Sequence, residues 1–399
     1  MPAPVCFWFP DRMWADVAQL GCAQEYRAII HWRGGSLPFT SPAVASLTSV
    51  RWTRTINDIS EATITIAKGS AGEACCGLLG KIEPYAHELT IYRDSELVWQ
   101  GPVLRVTENR TTVRVEARDV VEWMARTVNT TLLRYLSTNQ ADPMHVGPIQ
   151  EIAETIIRQN LEGGLFASSP DWPVMLDYIV RDDDTVDARF EKDGSADTEI
   201  WIVPILQIMD DELVPRGLEY TTVGRALVLG RTQTTADPAQ ARLTLDSFAG
   251  DIEIIRDGTT AATLVWVTNQ TDQDITGSQF GVSGVVSAYY GRLDTLIRTS
   301  AEGLSAYDLW QIARGSYPGR NPVPTSLRVP DGSRLAVTAP ITMRQLVAGV
   351  RIDVAATGMC MGLSQPYRLS DVEVEWGDSG EDVGISLVPI GDPFTSPPP

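Results

Sequence analysis

Histidine is scarce in this sequence: the 399 residues contain only His31, His87 and His145. The three lie far apart, and none belongs to an H-E-x-x-H motif or to another spacing typical of metal ligands. The sequence therefore argues against a zinc peptidase. Gly69-Ser70 and Gly281-Val-Ser-Gly284 also lack the strand–turn–helix context of a serine hydrolase elbow. We nominate no catalytic, metal-binding or cofactor-binding residue, and we expect neither enzyme activity nor a cofactor.

Cysteine is limited to five residues, an odd number without a Cys-x-x-Cys pair: Cys6, Cys22, Cys75, Cys76 and Cys360. The adjacent Cys75 and Cys76 would close only a strained ring. We predict thiols in the core, a state that fits assembly in a reducing cytoplasm.

Long apolar runs are missing as well. No uncharged stretch approaches the roughly 20 residues that a membrane-spanning helix needs. The first residues show no basic region followed by a long apolar segment. We expect a soluble chain with no membrane span and no signal peptide.

Basic residues are few: 32 Lys and Arg stand against 51 Asp and Glu, giving a formal net charge of −19. A surface that binds DNA without sequence preference needs clustered cations, so this function is disfavoured. The densest acidic groups are Asp182-Asp183-Asp184 with Asp187, and Asp210-Asp211-Glu212. Neither has the ligand spacing of an EF-hand loop. We interpret both as solvated turns, and a weak calcium site near Asp182–Asp187 stays open as the alternative.

The residues that are abundant favour strands and turns. Hydrophobic residues make up 43% of the chain, and 32 Gly and 25 Pro are spread along it. A chain of this length exceeds one ordinary core, so two to four domains are expected. We predict an N-terminal arm at 1–45, a first β domain at 46–128, an α+β insert at 129–240, a second β domain at 241–391 and a Pro-rich extended tail at 392–399.

Periodicity places the individual elements. Strands are predicted at residues 26–32, 47–55, 62–67, 88–93, 97–107, 111–117, 218–222, 225–229, 252–257, 262–269, 283–289, 326–329, 349–355, 369–376 and 383–387. Helices are predicted at residues 13–20, 119–126, 146–161, 202–213 and 305–315.

Residues 89–126 form the most informative stretch. They read as a meander of strands with a Gly101-Pro102 step directly after Trp99 and Gln100, followed by a helix that starts at Asp119. The pattern W-x-G-P-V, then strand, turn, strand and A-R-D-V-x-x-W-x-x-R, resembles the minor tail proteins of long-tailed actinobacterial phages. The segments that begin at Trp52 and Gly217 and the segment from Ala339 to Arg351 fit the same group. The resemblance covers roughly residues 45–390, and the order of the motifs carries it.

This resemblance implies a tail-tip hub, similar to the trimeric hub of contractile tails and the base of type VI secretion spikes. The fold would be mainly β, with two β-barrel-like domains and an α+β insert. Three chains would present six barrels to a six-fold tail tube and join it to a three-fold central fibre or spike. Implied partners are two more copies of the chain, the distal tail protein, the tape-measure protein and other minor tail proteins. The protein would be assembled in the host cytoplasm, would reside at the tail tip of the virion, and would open for tape-measure protein and DNA, which passes without specific binding.

Three segments are candidate interfaces. The first is the apolar start Phe7-Trp8-Phe9, which packs either on its own domain or on a neighbouring subunit. The second is the bend formed by Trp99, Gly101 and Pro102. The third is the tail, with Pro393 and Phe394.

Two alternative functions stay open. A receptor- or polysaccharide-binding tail protein would use an exposed aromatic ring for stacking, and Trp172, between Asp171 and Pro173, is the candidate. A cell-wall hydrolase carried on the tail is the other alternative, since a glycosidase needs only two carboxylates roughly 5–10 Å apart.

Overall fold

The computed structural model describes residues 19–34, 46–68, 77, 79–130, 133–134, 146–162, 177–180, 187–189, 199–200, 202–233, 237–250, 253–256, 258–259, 261–269, 279–299, 306–317, 320–321, 325–328, 334–356 and 363–390. The fold is mainly β: 49% of the described residues lie in strands and 18% in helices. This confirms the mainly-β prediction.

The strands, in chain order, are β1 (Tyr26–Trp32), β2 (Leu47–Thr55), β3 (Glu61–Ala67), β4 (His87–Arg93), β5 (Glu96–Glu108), β6 (Thr112–Arg118), β7 (Leu133–Arg134), β8 (Val146–Pro148), β9 (Asp177–Val180), β10 (Asp187–Arg189), β11 (Glu199–Ile200), β12 (Leu218–Val223), β13 (Ala226–Arg231), β14 (Ala241–Thr244), β15 (Glu253–Arg256), β16 (Leu264–Thr268), β17 (Phe280–Gly284), β18 (Asp294–Arg298), β19 (Thr325–Arg328), β20 (Arg351–Ala356), β21 (Leu363–Gly377) and β22 (Gly380–Pro389). The helices are α1 (Val121–Arg126), α2 (Ile149–Leu161), α3 (Ile205–Ile208) and α4 (Ala306–Ser316). Helix α3 continues as a π-helical turn over Met209–Leu213 and a 3-10 turn over Val214–Arg216.

One ten-stranded sheet dominates the molecule, with the order β1-β4-β5-β6-β3-β2-β21-β20-β14 and with β22 paired to β21. Strands from 46–128 and strands from 241–391 meet in it through the antiparallel pair β2–β21. Alternate residues of these strands point into one large core, as in β3, where Ala62, Ile64 and Ile66 are buried.

Two β-barrel-like domains were predicted, and no sheet among the described residues closes on itself. The physical reason is that two long strands change partners along their length. Strand β5 pairs with β4 through its first half and with β6 through its second half. Strand β21 pairs with β20 and then with β2. Register shifts lie at these corners, and the strands at the two ends of the sheet order, β1 and β14, do not pair with each other.

The insert packs a helix against a hairpin. Helix α2 begins after Pro148 and buries the apolar face predicted for it, including Ile152, Ile156 and Leu161. Hairpin β12–β13 confirms the predicted pair of strands, with Gly217 at a φ of 102° where the chain turns into it. These elements and α1 form a second core.

A third, small module contains the sheet β17-β16-β18 and helix α4. Its strand β17 covers 280–284 rather than the predicted 283–289, because Gly284 takes a φ of 114° and ends the strand. The predicted helix at 305–315 is confirmed as α4, whereas the helix predicted at 13–20 lies almost entirely outside the described residues.

Candidate interface surfaces

The bend at Trp99, Gly101 and Pro102 is buried inside the folded protein. Trp99 is 1% exposed, and Gly101 and Pro102 are buried too. Gly101 leaves no room for a side chain, because an added Cβ would lie 1.9 Å from the carbonyl oxygen of Arg118. In β5 the residues up to Pro102 pair with β4, and pairing with β6 begins at Val103. The bend therefore marks the corner of the large sheet, and its contact with another subunit remains a prediction.

The tip of hairpin β12–β13 touches this corner. Gly224 forms an isolated parallel bridge with Trp99. The next residue, Arg225, places its Nε 3.1 Å from Oε2 of Glu88, a side chain with no solvent exposure. Gln100 donates a second hydrogen bond to the same oxygen, at 3.0 Å. This buried ion pair fixes the insert on β4, and its hydrogen bonds offset the desolvation of both charges.

Asp119 joins three elements at the other side of the hairpin. Its carboxylate accepts hydrogen bonds from the backbone N–H of Ser60 at 3.1 Å, from the N–H of Val121 at 3.0 Å and from the hydroxyl of Thr222 at 2.9 Å. The group is fully buried, and this burial raises the pKa of Asp119 to about 7 although the hydrogen bonds oppose the shift. The carboxylate thus connects the start of β3, helix α1 and strand β12.

Arg54 is a fully buried cation between the two halves of the large sheet. Its guanidinium donates to the carbonyl oxygens of Val98 at 2.6 Å and Leu346 at 2.7 Å, and it lies 5.1 Å from the ring centroid of Trp52. Burial lowers the pKa of Arg54 to about 10. Backbone carbonyls and an aromatic face therefore hold this charge, and they tie β2 and β5 to a loop near residue 346.

A second buried cation, Arg93, connects the segment near Gly21 to Glu381 in β22. Arg93 makes a bidentate ion pair with Glu381, with Nε–Oε1 at 2.8 Å and Nη2–Oε2 at 2.7 Å. The side chain of Glu381 is only 3% exposed and also accepts the hydroxyl of Tyr26 and the N–H of Ala23. Arg93 donates further to the carbonyl oxygen of Gly21. Residues more than 280 positions apart are thereby locked together.

His31, His87 and Asp210 lie among other protein groups that account for their positions. His87 lies 4.5 Å from Trp32, ring to ring, and its Nδ1 accepts the N–H of Glu83. Burial lowers the pKa of His31. Asp210 accepts the hydroxyl of Tyr220 at 2.7 Å, and burial raises the pKa of this carboxyl. Within the described ranges, no three His, Cys, Asp or Glu side chains gather closely enough to hold a metal ion.

Cys22 is disulfide-bonded. The prediction that all five cysteines are thiols is therefore wrong. None of the helices in the described part of the chain is both long and apolar enough to cross a membrane.

Exposed apolar side chains concentrate in the small module. More than half of the large hydrophobic side chains exposed in the described residues lie between positions 280 and 312: Phe280, Val285, Val286, Tyr289, Leu293, Leu296, Tyr307 and Ile312. Exposed apolar side chains that form a contiguous patch are typical of a protein contact. No sequence motif marks these exposed side chains, although apolar and polar residues alternate over 264–268 and 280–284.

The other sequence candidates cannot be placed. Phe7, Trp8, Phe9, Trp172, Pro393 and Phe394 lie outside the described residues, as do Asp182, Asp183 and Asp184. The interface, glycan-stacking and calcium hypotheses for them remain predictions.

Two solved structures share the architecture. The 43 kDa tail protein of prophage MuSo2 from Shewanella oneidensis matches with a TM-score of 0.56 and 14% identity, over 92% of this chain and 98% of that chain. The tail protein from Neisseria meningitidis MC58 matches with a TM-score of 0.52 and 12% identity, over 91% and 96%. The chain has the fold of phage tail proteins. No family model matches it, and the curated proteins contain no significant sequence match.

The shared fold supports the sequence resemblance at the level of tail proteins. At these identities it does not extend to the actinobacterial group or to a role at the tail tip.

Proposed function

We propose that this protein is a structural component of a phage tail and forms the hub at the tail tip. The observation that carries the proposal is the fold match over nearly the full length of both compared tail proteins. Because the match spans more than nine tenths of each chain, the proteins share a whole architecture rather than one widespread module. A single common domain would have been much weaker support, since such domains serve many functions.

The internal construction of the chain suits a mechanical role. Buried charges tie segments that are distant in sequence: Arg93 to Glu381, Arg225 to Glu88, and Arg54 to the carbonyl of Leu346. Such contacts favour one defined arrangement of sheet and insert, because breaking any of them would leave a buried charge without its partner. A subunit that transmits force along a tail needs this rigidity.

In the proposed role three copies surround the tail axis, close the tube and adapt its six-fold symmetry to a three-fold fibre or spike. The distal tail protein and the tape-measure protein are the neighbours expected from the family resemblance. With −19 per chain, three copies carry −57 (3 × −19). Any acidic residues that face the lumen would repel DNA and let it pass.

Antibody labelling of intact tails tests the location. Antibodies against the purified chain are expected to bind at the distal end of the tail tube, as seen by negative-stain electron microscopy. Serum depleted with the purified chain serves as the control. Label along the tube, or on fibres away from the axis, would contradict the hub and favour a receptor-binding tail protein.

A further inference from the structure

The large sheet and the insert bury their apolar side chains in two separate cores, as far as the chain is described. The insert core contains α1, α2, α3 and one side of the hairpin β12–β13. From the sheet side, Ile59 and Tyr85 pack against the insert core, and both are only partly buried. Little apolar surface therefore joins the two cores, and the seam between them depends on other contacts.

Strand β12 crosses this seam with hydrogen bonds. The carbonyl oxygen of Tyr220 accepts the N–H of Asn57 at 2.9 Å, and the N–H of Tyr220 donates to the side-chain oxygen of Asn57 at 2.9 Å. Thr221 donates through its hydroxyl to the carbonyl oxygen of Thr55 at 3.0 Å. Polar contacts rather than a shared apolar core thus bind β12 to the end of β2.

Two ion pairs lie near the two ends of β12. Arg225 pairs with Glu88 on β4, and Arg368 on β21 pairs with Glu219 on β12. The side chains of Glu88 and Glu219 are 0% and 3% exposed. When such a seam opens, water solvates both partners of each pair, and this hydration offsets much of the lost attraction. A polar seam therefore separates more readily than an apolar one of the same size.

The chain passes between the two cores at two places. The first lies at Asp119, between β6 and α1, and the second lies between β13 and β14. At the second place Arg231 forms a bidentate ion pair with Asp237, whose carbonyl oxygen accepts a hydrogen bond from Arg351 at 2.6 Å. Two crossings are few enough for the insert to move against the sheet as one body.

Asp119 lies both at the first crossing and in the seam. The hydroxyl of Thr222 is the donor that the hairpin supplies to its carboxylate, beside the N–H groups of Ser60 and Val121. All three donors are neutral, so none of them supplies a counter-charge. Ionisation of Asp119 inside the closed seam therefore costs free energy, and this cost is relieved when opening lets water reach the carboxylate.

The other titratable groups around Asp119 are acidic. They come from the turn after β2, the π-helical turn after α3, strand β12 and helix α1: Asp58, Asp210, Tyr220 and Glu122. Burial first, and then the carboxylates, raises the pKa of Tyr220, so this phenol stays neutral. The cations near α1 are paired with Glu122 instead: Arg118 and Arg126.

We infer that this seam is a latch: the hairpin and the insert behind it release from the large sheet as one body, both cores stay folded, and ionisation of Asp119 favours the release. The closed state binds the proton, so acid favours closure, and a rise of pH through 7 favours opening. With a pKa of about 7 for buried Asp119 and 3.8 for the hydrated group, the closed seam should become roughly 30-fold less stable between pH 5.5 and pH 8. The latch does not depend on the proposed hub.

Hydrogen exchange of the full chain tests the latch, with residue-resolved protection factors measured at pH 5.5 and pH 8. The N–H groups of Asn57 and Tyr220 bond across the seam, and they should be less protected than those within α2 and β3 at both pH values. Their protection factors should fall at least tenfold from pH 5.5 to pH 8. Protection equal to that of α2 and β3 would mean that the seam opens only on global unfolding, and this result would overturn the inference.

Asp119→Asn removes the titrating group, so protection at the seam should be nearly equal at the two pH values. Asp58→Asn is the matched control, because it makes the same chemical change at an exposed carboxylate in the turn after β2. The control should keep the pH response of the unaltered chain. An unchanged pH response in Asp119→Asn, or its loss in both variants, would also overturn the inference.

Thr222→Val covers the case in which Asp119→Asn does not fold. It removes the hydroxyl that the hairpin donates to Asp119 and keeps the carboxyl itself. Protection at Asn57 and Tyr220 should fall at both pH values while α2 and β3 stay protected. Unchanged protection at the seam, or an equal loss in α2 and β3, would contradict the latch.

Discussion

Asp119 is the residue whose protonation should most clearly affect stability. Its carboxyl is buried with a pKa of about 7, against 3.8 for the unperturbed group. Between these values the folded chain holds a proton that the unfolded chain has released. The free energy of unfolding should therefore fall as pH rises from about 4 to 7, by up to roughly 1.4 kcal/mol per pH unit from this one group.

Replacing Asp119 with Asn removes that titration. Urea unfolding at pH 5 and at pH 8 is the measurement, applied to both proteins. The stability of the unaltered chain relative to Asp119→Asn should be higher at pH 5 than at pH 8. A constant difference between the two proteins would contradict the assignment of a raised pKa to Asp119.

Glu381 tests the buried ion pair. Glu381→Gln keeps the shape of the side chain but leaves the guanidinium of Arg93 without its counter-charge. We expect a loss of about 3–5 kcal/mol in the free energy of unfolding, the usual cost of removing one partner of a buried pair. Urea denaturation measures it.

The matched control for Glu381→Gln is an exposed pair. Arg51 is 61% exposed and bonds Glu373 through its Nε at 2.9 Å. Glu373→Gln should cost about 0–1 kcal/mol, since water screens the pair. Similar losses in the two variants would show that the Arg93–Glu381 pair adds nothing special.

At the scale of elements, strand β5 depends on a glycine at its corner. In Gly101→Ala the new methyl group would collide with the backbone of Arg118 and Asp119, with the nearest atom 1.9 Å away. Neither backbone can shift without disturbing the corner between β5 and β6. The melting temperature is expected to drop by more than 10 °C, or the chain fails to fold.

Gly377→Ala is the control at a strand end. There an added Cβ meets nothing nearer than 3.7 Å, an ordinary contact with Thr48. The expected change in the free energy of unfolding is within about 1 kcal/mol. If Gly101→Ala melts like Gly377→Ala, the corner does not require glycine.

Local patterns predicted the elements whose periodicity repeats over many residues. Strand β1 and helix α2 show this, because alternate or helical apolar positions reveal the buried side of each. The same patterns could not predict β14, which is four residues long and pairs with β20 more than a hundred residues away. Pro366 hid the first part of β21, since proline is unusual inside a strand.

Contacts between segments distant in sequence decide how the strands are arranged in the large sheet and which face of β16 is exposed, and local patterns do not reveal such contacts. The pattern around Trp99 located a bend but not its direction, and the bend turned into the chain's own core. Two β-barrel-like domains were expected from the family resemblance, and the pairing of β2 with β21 joins strands from both of these regions in one sheet. Which face of β16 stays exposed depends on where α4 packs, and that contact is set by the tertiary structure.

At the scale of the whole molecule, the chain is a mainly β subunit whose exposed large apolar side chains, among the described residues, concentrate between positions 280 and 312. Rigidity follows from the buried charges that connect its sheet and insert. In the proposed hub, several copies of this subunit would surround one tail axis.

The most direct test of the hub is a cryo-electron microscopy reconstruction of the tail tip, computed without imposed symmetry. We predict three copies of this 43.6 kDa chain around the tail axis, at the end of the tube. Density for the chain away from the axis, or a number of copies other than three at the tip, would contradict it.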